Sequence, residues 1–283
     1  MENKELRLII TRLIRSSTDG TFPSLNLDPA GEDFSHARDF EVGDDPRRIE
    51  ALPTAQRDRI TVYERNIEVG ANIYFMIDGS ASQLLDSNGT PKLNYSINLV
   101  ETISRACLGE GNRFCLMLFT DHNEYESGLI NSNAGLEEKL DELKRCRPKS
   151  KTTDLKNSLK DFCLNFQDLQ FGKPSILFIL SDFVFEPDFM SELRQLNEQT
   201  DVVAIIVRDP AELNLPRPRF GLVRLADPET GKTFIARKQT NPIDKVVPIL
   251  KRCGVDWMIA NTGQEIGESL NNLAELFEKK EEG

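Results

Sequence analysis

The sequence feature that most constrains the fold is a short apolar run that ends at an aspartate followed by two alternating serines, NIYFMIDGSAS at residues 72–82. A continuous apolar run of this length is typical of a buried parallel strand. Asp78, Ser80 and Ser82 then fall in the loop after the strand, where we expect the two hydroxyls to point the same way as the carboxylate. Mg²⁺ binds few protein oxygens and keeps several waters. The spacing therefore predicts a metal site with an open face.

From residue 72 onward, apolar strands alternate with amphipathic helical patterns. The predicted strands are 73–77, 114–119, 176–180, 202–207 and 255–259, and the predicted helices are 93–106, 136–144, 155–166, 189–198, 243–251 and 266–277. This alternation predicts an α/β fold with a doubly wound, mostly parallel sheet and helices on both faces. Such a sheet binds ligands at the carboxyl ends of its strands. Segments 221–225 and 233–236 flank the turn-rich ADPETGK and predict an antiparallel hairpin at one edge of the sheet.

The first 70 residues have a different pattern and predict an irregular N-terminal appendage, with residues 71–283 forming the main domain. Residues 16–70 are polar and punctuated by proline and glycine, apart from an alternating, strand-like stretch at 59–68. Before them, apolar residues at helical spacing predict an amphipathic helix: Leu6, Ile9, Ile10, Leu13 and Ile14. We expect this helix to dock on its own domain rather than on a membrane, because its charges are mixed in sign.

The charge and cysteine content exclude several classes of protein. A net charge of -11 and a pI of about 4.9 argue against a protein that binds nucleic acid without sequence preference, or an anionic membrane. The five cysteines are scattered and form no C-x-x-C pair, which predicts reduced thiols in an intracellular protein. No apolar stretch approaches the roughly 18 residues of a membrane span. We therefore expect a soluble, cytoplasmic protein without a transmembrane segment.

Further oxygen donors are predicted at the same edge of the sheet. Asp182 follows the strand at 176–180, in the same strand-to-loop position as Asp78. Thr152 and Thr153 come directly before a helical pattern, where we expect one to cap the helix and the other to face the loop. Neighbouring strand ends meet beside the topological switch point of such a sheet. These donors and the two serines are therefore expected to converge in one crevice.

This arrangement resembles the metal-ion-dependent adhesion site of von Willebrand factor A (vWA) domains, with D-G-S-A-S after an apolar strand, a threonine before a helix and S-D after a later strand. The resemblance implies Mg²⁺ or Mn²⁺ as the bound ion. It also implies that the serines and the threonine contact the metal, whereas the aspartates hold it mostly through water. The implied metal site comprises Asp78, Ser80, Ser82, Thr153 and Asp182. Thr153 is preferred to Thr152 because T-D-L resembles that family's usual run into the helix.

The segment before the first strand resembles the signature of one particular family of vWA-domain proteins. FSHARDFEVGDDPRRIEALPTAQRDRITVYERN resembles the R-x-Y-x-x-G-D-D-P-R-x-I-D-W-x-x-T-A-R signature of the DUF58 family of bacterial vWA-domain proteins, and GLVRLADPETGKTF resembles a later strand and turn of that family. Phe40, Ala51 and Gln56 depart from the usual tyrosine, tryptophan and arginine. The resemblance covers roughly residues 34–279. It implies a partner, a MoxR-type AAA+ ATPase, and a chaperone-like or assembly role.

The GDDPRR turn at residues 43–48 has two interpretations. Its arginines either pair with nearby carboxylates or form a surface that binds a partner. The arginines of this region could equally lie over the metal edge and neutralise its acidic residues. They are Arg38, Arg47, Arg48 and Arg57.

The sequence favours a non-enzymatic, metal-dependent protein-protein interaction module, in which an open coordination position takes a carboxylate from a partner. Two alternatives remain: a metal-assisted phosphoesterase, and a structural vWA domain that has lost its metal. A phosphohydrolase of the haloacid dehalogenase type needs a second carboxylate where this chain has Ser80. A nucleophilic Ser80 needs a base, and the only histidines are His36 and His122. The sequence has no phosphate-binding G-x-x-x-x-G-K-[ST] or G-x-G-x-x-G loop.

Overall fold

The structure is a computed structural model that describes residues 34–39, 61–65, 70–109, 111–165, 175–185, 188–213, 223–226, 233–236 and 242–281. The chain divides into two compact units, the smaller of which is Phe22–Val69. In this unit, strand β1 (Phe34–Asp39) pairs antiparallel with β2 (Thr61–Arg65). β2 lies within the predicted strand-like stretch. The predicted N-terminal helix and the GDDPRR turn lie outside the described residues, and the predicted domain boundary stays a prediction.

The larger unit is built on a six-stranded sheet. The strands that follow β2 are β3 (Asn72–Asp78), β4 (Arg113–Phe119), β5 (Asn123–Glu126), β6 (Ser175–Ser181), β7 (Asp201–Arg208), β8 (Val223–Ala226), β9 (Thr233–Ala236) and β10 (Asp256–Asn261). The sheet order is β10-β7-β6-β3-β4-β5, with every pair parallel except β4 and β5. Successive strands run outward from β3 on one side and from β6 on the other. The predicted doubly wound, mostly parallel sheet is confirmed, and its topological switch point lies between β3 and β6.

Helices cover both faces of this sheet. They are α1 (Lys92–Cys107), α2 (Asn133–Arg145), α3 (Leu155–Asn165), α4 (Met190–Asn197), the single turn α5 (Pro210–Leu213), α6 (Pro242–Arg252) and α7 (Ile266–Glu281). Along β3, Ile73, Phe75 and Ile77 join the buried cluster formed with α1, α2 and α7, whereas Tyr74 and Met76 join the cluster formed with α3, α4 and α6. Alternate residues of a strand face opposite sides. The continuous apolar run of β3 is therefore explained by burial on both faces.

The predicted hairpin is placed differently from the expectation. β8 and β9 do pair antiparallel, but they form a two-stranded sheet of their own rather than an edge of the six-stranded sheet. The antiparallel edge strand is instead β5, whose sequence NEYE has no apolar run. An edge strand needs only one partner, so few of its side chains have to be apolar. This is why the apolar pattern did not reveal it.

The first turn into β3 requires a glycine. A Cβ atom added to Gly70 would lie 2.0 Å from the carbonyl oxygen of Gly111, which is an impossible contact. This close approach is fixed on either side, because Ala71 N donates to Asn112 Oδ1 at 2.9 Å and Arg113 N donates to Ala71 O at 2.8 Å. The two backbones are therefore held together at the start of β3 and β4, at the end of the sheet opposite Asp78.

The structure describes the state of the cysteines and the character of the helices. All five cysteines are free: Cys107, Cys115 and Cys253 are buried, and Cys146 and Cys163 are half-buried. Among the described residues, no helix combines the length and the apolar character that crossing a bilayer demands.

Candidate metal centre

The two predicted aspartates lie together at the switch point of the sheet. Asp78 is the last residue of β3, and Asp182 directly follows β6. The strands are parallel neighbours with Ile77 opposite Leu180, so both carboxylates lie at the carboxyl edge. Both residues are almost completely buried. Burial of two carboxylates side by side is costly unless charge or hydrogen bonds compensate for it.

Asp78 is held by hydrogen bonds from three residues. Its Oδ1 accepts from the Ser80 backbone N at 2.9 Å, and its Oδ2 accepts from Ser181 Oγ at 2.6 Å and from Gln83 Nε2 at 3.5 Å. These bonds favour the carboxylate, but burial and the nearby Asp182 outweigh them and raise the pKa of Asp78 to about 7. No cation of the chain is paired with Asp78 in the part that the structure describes. This carboxylate therefore has room for a positive charge.

The two serines connect the aspartates. The loop after β3 leads into a short 3-10 helix, Ala81–Leu84, and brings Ser80 Oγ within 3.1 Å of Ser82 Oγ. The Ser82 hydroxyl is also near enough to Asp182 to lower the pKa of its carboxyl group. Gln83 Nε2 lies 3.4 Å from Ser82 Oγ, but Gln83 Oε1 is buried and has no hydrogen-bond partner among the described residues. A buried oxygen beside hydroxyls and carboxylates is available to a cation or a water molecule.

Asp182 already has a cation beside it. Lys92 Nζ lies 2.6 Å from Asp182 Oδ2 and 2.8 Å from Glu212 Oε1, and the Lys92 side chain is 0% exposed. Burial acts to raise the pKa of Asp182, but the Lys92 charge and hydrogen bond, then Arg208 and the bond from Ser82, hold it below its usual value. The same two carboxylates raise the pKa of Lys92 against the opposing effect of burial. Asp182 is therefore an anion with a resident counter-ion.

Thr153 is carried to the same edge by its neighbours in the chain. The Ala81 backbone N donates to Lys151 O at 3.0 Å, and the Asp154 N donates to Thr120 O at 3.0 Å. The expectation that a threonine caps α3 is wrong, because Asp154 Oδ1 accepts from Asn157 N at 2.9 Å and takes that role. Asp154 directly precedes the helix, which is the position from which a side chain reaches the free N–H groups.

The two threonines differ in their surroundings. Thr152 is exposed, and its hydroxyl donates to Asp121 Oδ2 at 3.2 Å, whereas Thr153 is half-buried. Thr153 remains the predicted metal ligand of the pair.

Three contributors to this site were missed from the sequence. Lys92 begins α1, where the helix dipole disfavours a cation, and this position was the available signal of a nearby anion. Ser181 is the polar last residue of β6. Asp209 follows β7 as Asp182 follows β6, and its carboxylate accepts from Ser87 N at 2.9 Å and Ala211 N at 2.8 Å. Asp209 thereby anchors the loop that follows the 3-10 helix.

The residues considered for other roles lie elsewhere. His122 is 52% exposed, with Nδ1 2.6 Å from Asp121 Oδ1 and Nε2 3.5 Å from Glu124 Oε1. Within the described part of the chain, no hydrogen bond or ion pair joins His122 to Ser80. The structure does not describe Arg47, Arg48 and Arg57, and it describes only the backbone of His36. The roles suggested for these residues stay predictions.

Exposed apolar side chains flank the site. Leu84 and Leu85 follow the serine loop and are 62% and 40% exposed, and Val184, two residues after Asp182, is 51% exposed. Phe183, between Asp182 and Val184, has a φ of 52°, which a residue other than glycine rarely adopts. Its buried ring packs near those of Phe185 and Phe189, with centroids 6.0 and 6.5 Å away. The strained turn lets one residue enter the core while its neighbours face the edge.

The donor set fits a hard divalent cation. It consists of oxygen atoms alone, from two carboxylates and hydroxyl groups, which suits Mg²⁺ or Mn²⁺ rather than zinc or copper. No group of three or more His, Cys, Asp or Glu side chains among the described residues is arranged to hold a metal. Any ion at this edge therefore depends on the serines and on Thr153 as well as on the aspartates.

The strand order and the donors at the switch point define the class of protein: an α/β domain of the vWA-like type. A family model gives the more specific assignment. The model of DUF58, described as a protein of unknown function, matches residues 36–244. This chain belongs to the DUF58 family.

Two solved structures share the fold at low sequence identity. BatB, a conserved hypothetical protein from Bacteroides thetaiotaomicron, has a TM-score of 0.51 and 9% identity, covering 76% of this chain and 100% of that one. An aerotolerance-related membrane protein from Bacteroides fragilis, solved with multiple mutations to serines, has a TM-score of 0.51 and 12% identity, covering 74% and 100%. The SpRpn10 VWA domain has a TM-score of 0.44 and 9% identity, covering 74% and 96%. The comparison with curated proteins gives no match.

Proposed function

We propose that this protein is a non-enzymatic protein-interaction module whose binding edge carries Mg²⁺ or Mn²⁺. Ser80, Ser82 and Thr153 would hold the ion directly, with Asp78 and Asp182 acting through water. The observation that carries the proposal is that an oxygen-only donor cluster at the switch point is flanked by exposed apolar side chains. Exposed apolar residues gathered in one place favour a site that binds another protein.

Each part of this edge has a definite task. Asp78 is buried and has no paired cation among the described residues, so it favours a positive charge at the site. When bound, the metal supplies an open coordination position that suits a carboxylate oxygen from a partner. Leu84, Leu85 and Val184 then lose exposed apolar surface against the partner, which provides affinity. The fixed loops after β3 and β6 keep these groups in register.

The proposed partner is a MoxR-type AAA+ ATPase, in a chaperone-like or assembly role. The support for this partner is the family resemblance alone. The chemistry of the edge adds that the partner should present an acidic residue next to apolar side chains. The Arg47 and Arg48 turn is the competing recognition surface, and it requires no metal.

Binding of the purified ATPase to the immobilised protein tests the proposal. We expect binding in Mg²⁺, loss of binding in EDTA, and loss of binding in Asp78→Ala. Leu85→Asp should also abolish binding, whereas the matched control Leu129→Asp should not, because Leu129 is equally exposed, at 43%, but does not adjoin the serine loop or the Asp182 turn. Binding that survives EDTA but is lost in Arg47→Ala/Arg48→Ala would place recognition on the turn instead.

We propose that Ser80 does not act as a catalytic nucleophile. A nucleophilic serine needs a nearby base, and the described contacts of His122 are to Asp121 and Glu124 rather than to Ser80. Hydrolysis of a phosphoester by the wild-type protein that disappears in Ser80→Ala, with the fold intact, would contradict this.

One observation favours a second candidate function, a structural vWA domain without metal. Lys92 already compensates Asp182, so part of the charge that a metal would neutralise is neutralised by the chain.

A further inference from the structure

Lys92 is a cation built into the predicted metal edge. It begins α1, is completely buried, and contacts both Asp182 and Glu212. The N-terminus of a helix repels a cation, and burial of an ammonium group is costly unless it is paired. Its ammonium group is therefore held by the two carboxylates. Removing both partners would leave a buried positive charge uncompensated.

Arg208 adds a second cation to the same cluster. It ends β7, is 2% exposed, and has Nη1 4.0 Å from Glu212 Oε2. Its Nε and Nη2 are buried and have no hydrogen-bond partner among the described residues. Lys92 and Arg208 thus place two positive charges beside Asp182 and Glu212. This balance leaves Asp78 as the one carboxylate of the predicted metal ligands that has no cation of the chain paired with it, within the described residues.

The lone pairs of Asp182 are also in use. Its Oδ2 accepts from Lys92 at 2.6 Å, and its Oδ1 accepts from the Val184 backbone N at 3.3 Å. Of the two predicted ligand carboxylates, a divalent ion at the serines would therefore meet one, Asp78, that has no paired cation among the described residues, and this pair would keep a net positive charge of about one. A partner's carboxylate supplies the missing negative charge.

We infer that Lys92 is a resident counter-ion that competes with the metal for Asp182, keeping the affinity for the metal low until an acidic partner completes the site. This inference rests on the proposed function and describes how that site is regulated. Metal and partner then bind cooperatively, because each supplies the charge that the other lacks. Lys92 acts through Asp182 and is a positioning residue.

Titration of the purified full chain with Mn²⁺ tests this inference, with binding measured by calorimetry and by the paramagnetic resonance signal of free Mn²⁺. Lys92→Met should bind Mn²⁺ at least about tenfold more tightly than the wild type, because a unit charge within a few ångströms of a divalent ion has about that effect even in water. Lys92→Arg keeps the charge and should bind within about threefold of the wild type. The matched control is Lys139→Met, which removes an ion-paired lysine of α2 and should change nothing.

The variant Lys92→Met leaves the carboxylates of the buried Asp182 and the half-buried Glu212 without their nearest cation, and it is expected to be less stable. Lys92→Met/Glu212→Gln removes one of these charges, and it should fold better while keeping the tighter Mn²⁺ affinity. Melting curves without metal identify which variants are folded. Asp78→Ala should remove Mn²⁺ binding from the wild type and from every Lys92 variant, which assigns the signal to this edge.

The outcomes separate the inference from the proposed function. Tighter binding in both Lys92→Met variants, with wild-type binding present, supports both. Unchanged or weaker binding in both variants overturns the role of Lys92 while the metal site stands. Binding in the Lys92→Met variants but none in the wild type, with or without the purified ATPase, supports the inference and refutes metal dependence of the natural protein. No binding in any variant overturns both.

Discussion

Replacing Asp78 with asparagine should stabilise the metal-free protein at alkaline pH, although it removes a predicted metal ligand. Burial and the nearby Asp182 raise the pKa of Asp78 from 3.8 to about 7. The native state therefore keeps this proton when the unfolded chain has lost it. The stability that the group contributes is fully present below pH 3.8 and is lost as pH rises through about 7. Asparagine is neutral at every pH and avoids this loss.

The size of the effect follows from the contacts of Asp78. The change in pKa corresponds to about 4 kcal/mol, at about 1.4 kcal/mol per pH unit. Against this, the amide of asparagine would replace an oxygen that accepts from Ser181 and Gln83, so both donors must turn. Gln83 has an unpartnered Oε1 that can accept after turning, and we assign about 2 kcal/mol to the rearrangement. The net stabilisation at pH 8 should be about 2 kcal/mol.

Urea unfolding in EDTA at pH 5 and pH 8 measures this effect. The wild type should lose stability from pH 5 to pH 8 relative to Asp78→Asn, and the variant should be the more stable of the two at pH 8. Groups present in both proteins cancel in the comparison. Parallel pH dependences, or a variant less stable than the wild type at pH 8, would refute the burial argument for Asp78.

Two further predictions concern the loops and the backbone. Thr153→Ala should reduce the rise in melting temperature on addition of Mg²⁺, whereas Thr152→Ala should leave it intact; equal losses would contradict the choice of Thr153. Gly70→Ala should lower the free energy of unfolding in urea by about 3 kcal/mol, because its Cβ would collide with the Gly111 carbonyl. The control Gly267→Ala lies in α7 with open space around it and should raise the free energy of unfolding by about 0.5 kcal/mol. A mild effect at Gly70 would mean that the two backbones separate easily.

The apolar pattern was enough to predict the main sheet because its central strands are buried on both faces. β3 and β6 have no exposed residue, so residues 73–77 and 176–180 within them are continuous apolar runs. The polar residues that end these runs are Asp78 and Ser181, and Asp182 follows Ser181. β5 was missed since an edge strand with half-buried side chains carries no such run. The position of the hairpin β8–β9 also escaped prediction, because turn chemistry fixes local pairing but does not determine which sheet a hairpin joins.

The part of the site that escaped prediction depends on tertiary contacts. Lys92 and Asp182 are ninety residues apart in the chain, and nothing local to either residue identifies the other as its partner. Asp209 looks like an ordinary turn residue until β7 is placed beside β6. The cap of α3 was misassigned for a simpler reason: Asp154 is itself a good capping residue and lies one position nearer the helix than the threonines.

The most direct test of the central claim is a crystal of the wild-type protein soaked in Mn²⁺, measured for anomalous scattering of manganese. The account predicts one strong peak at the carboxyl edge, within about 2.5 Å of Ser80 Oγ and Ser82 Oγ, which disappears in crystals of Asp78→Ala. A peak at a different place, or no peak in the wild type at millimolar Mn²⁺ with the edge open to solvent, would contradict the claim that this edge is a metal-dependent binding site.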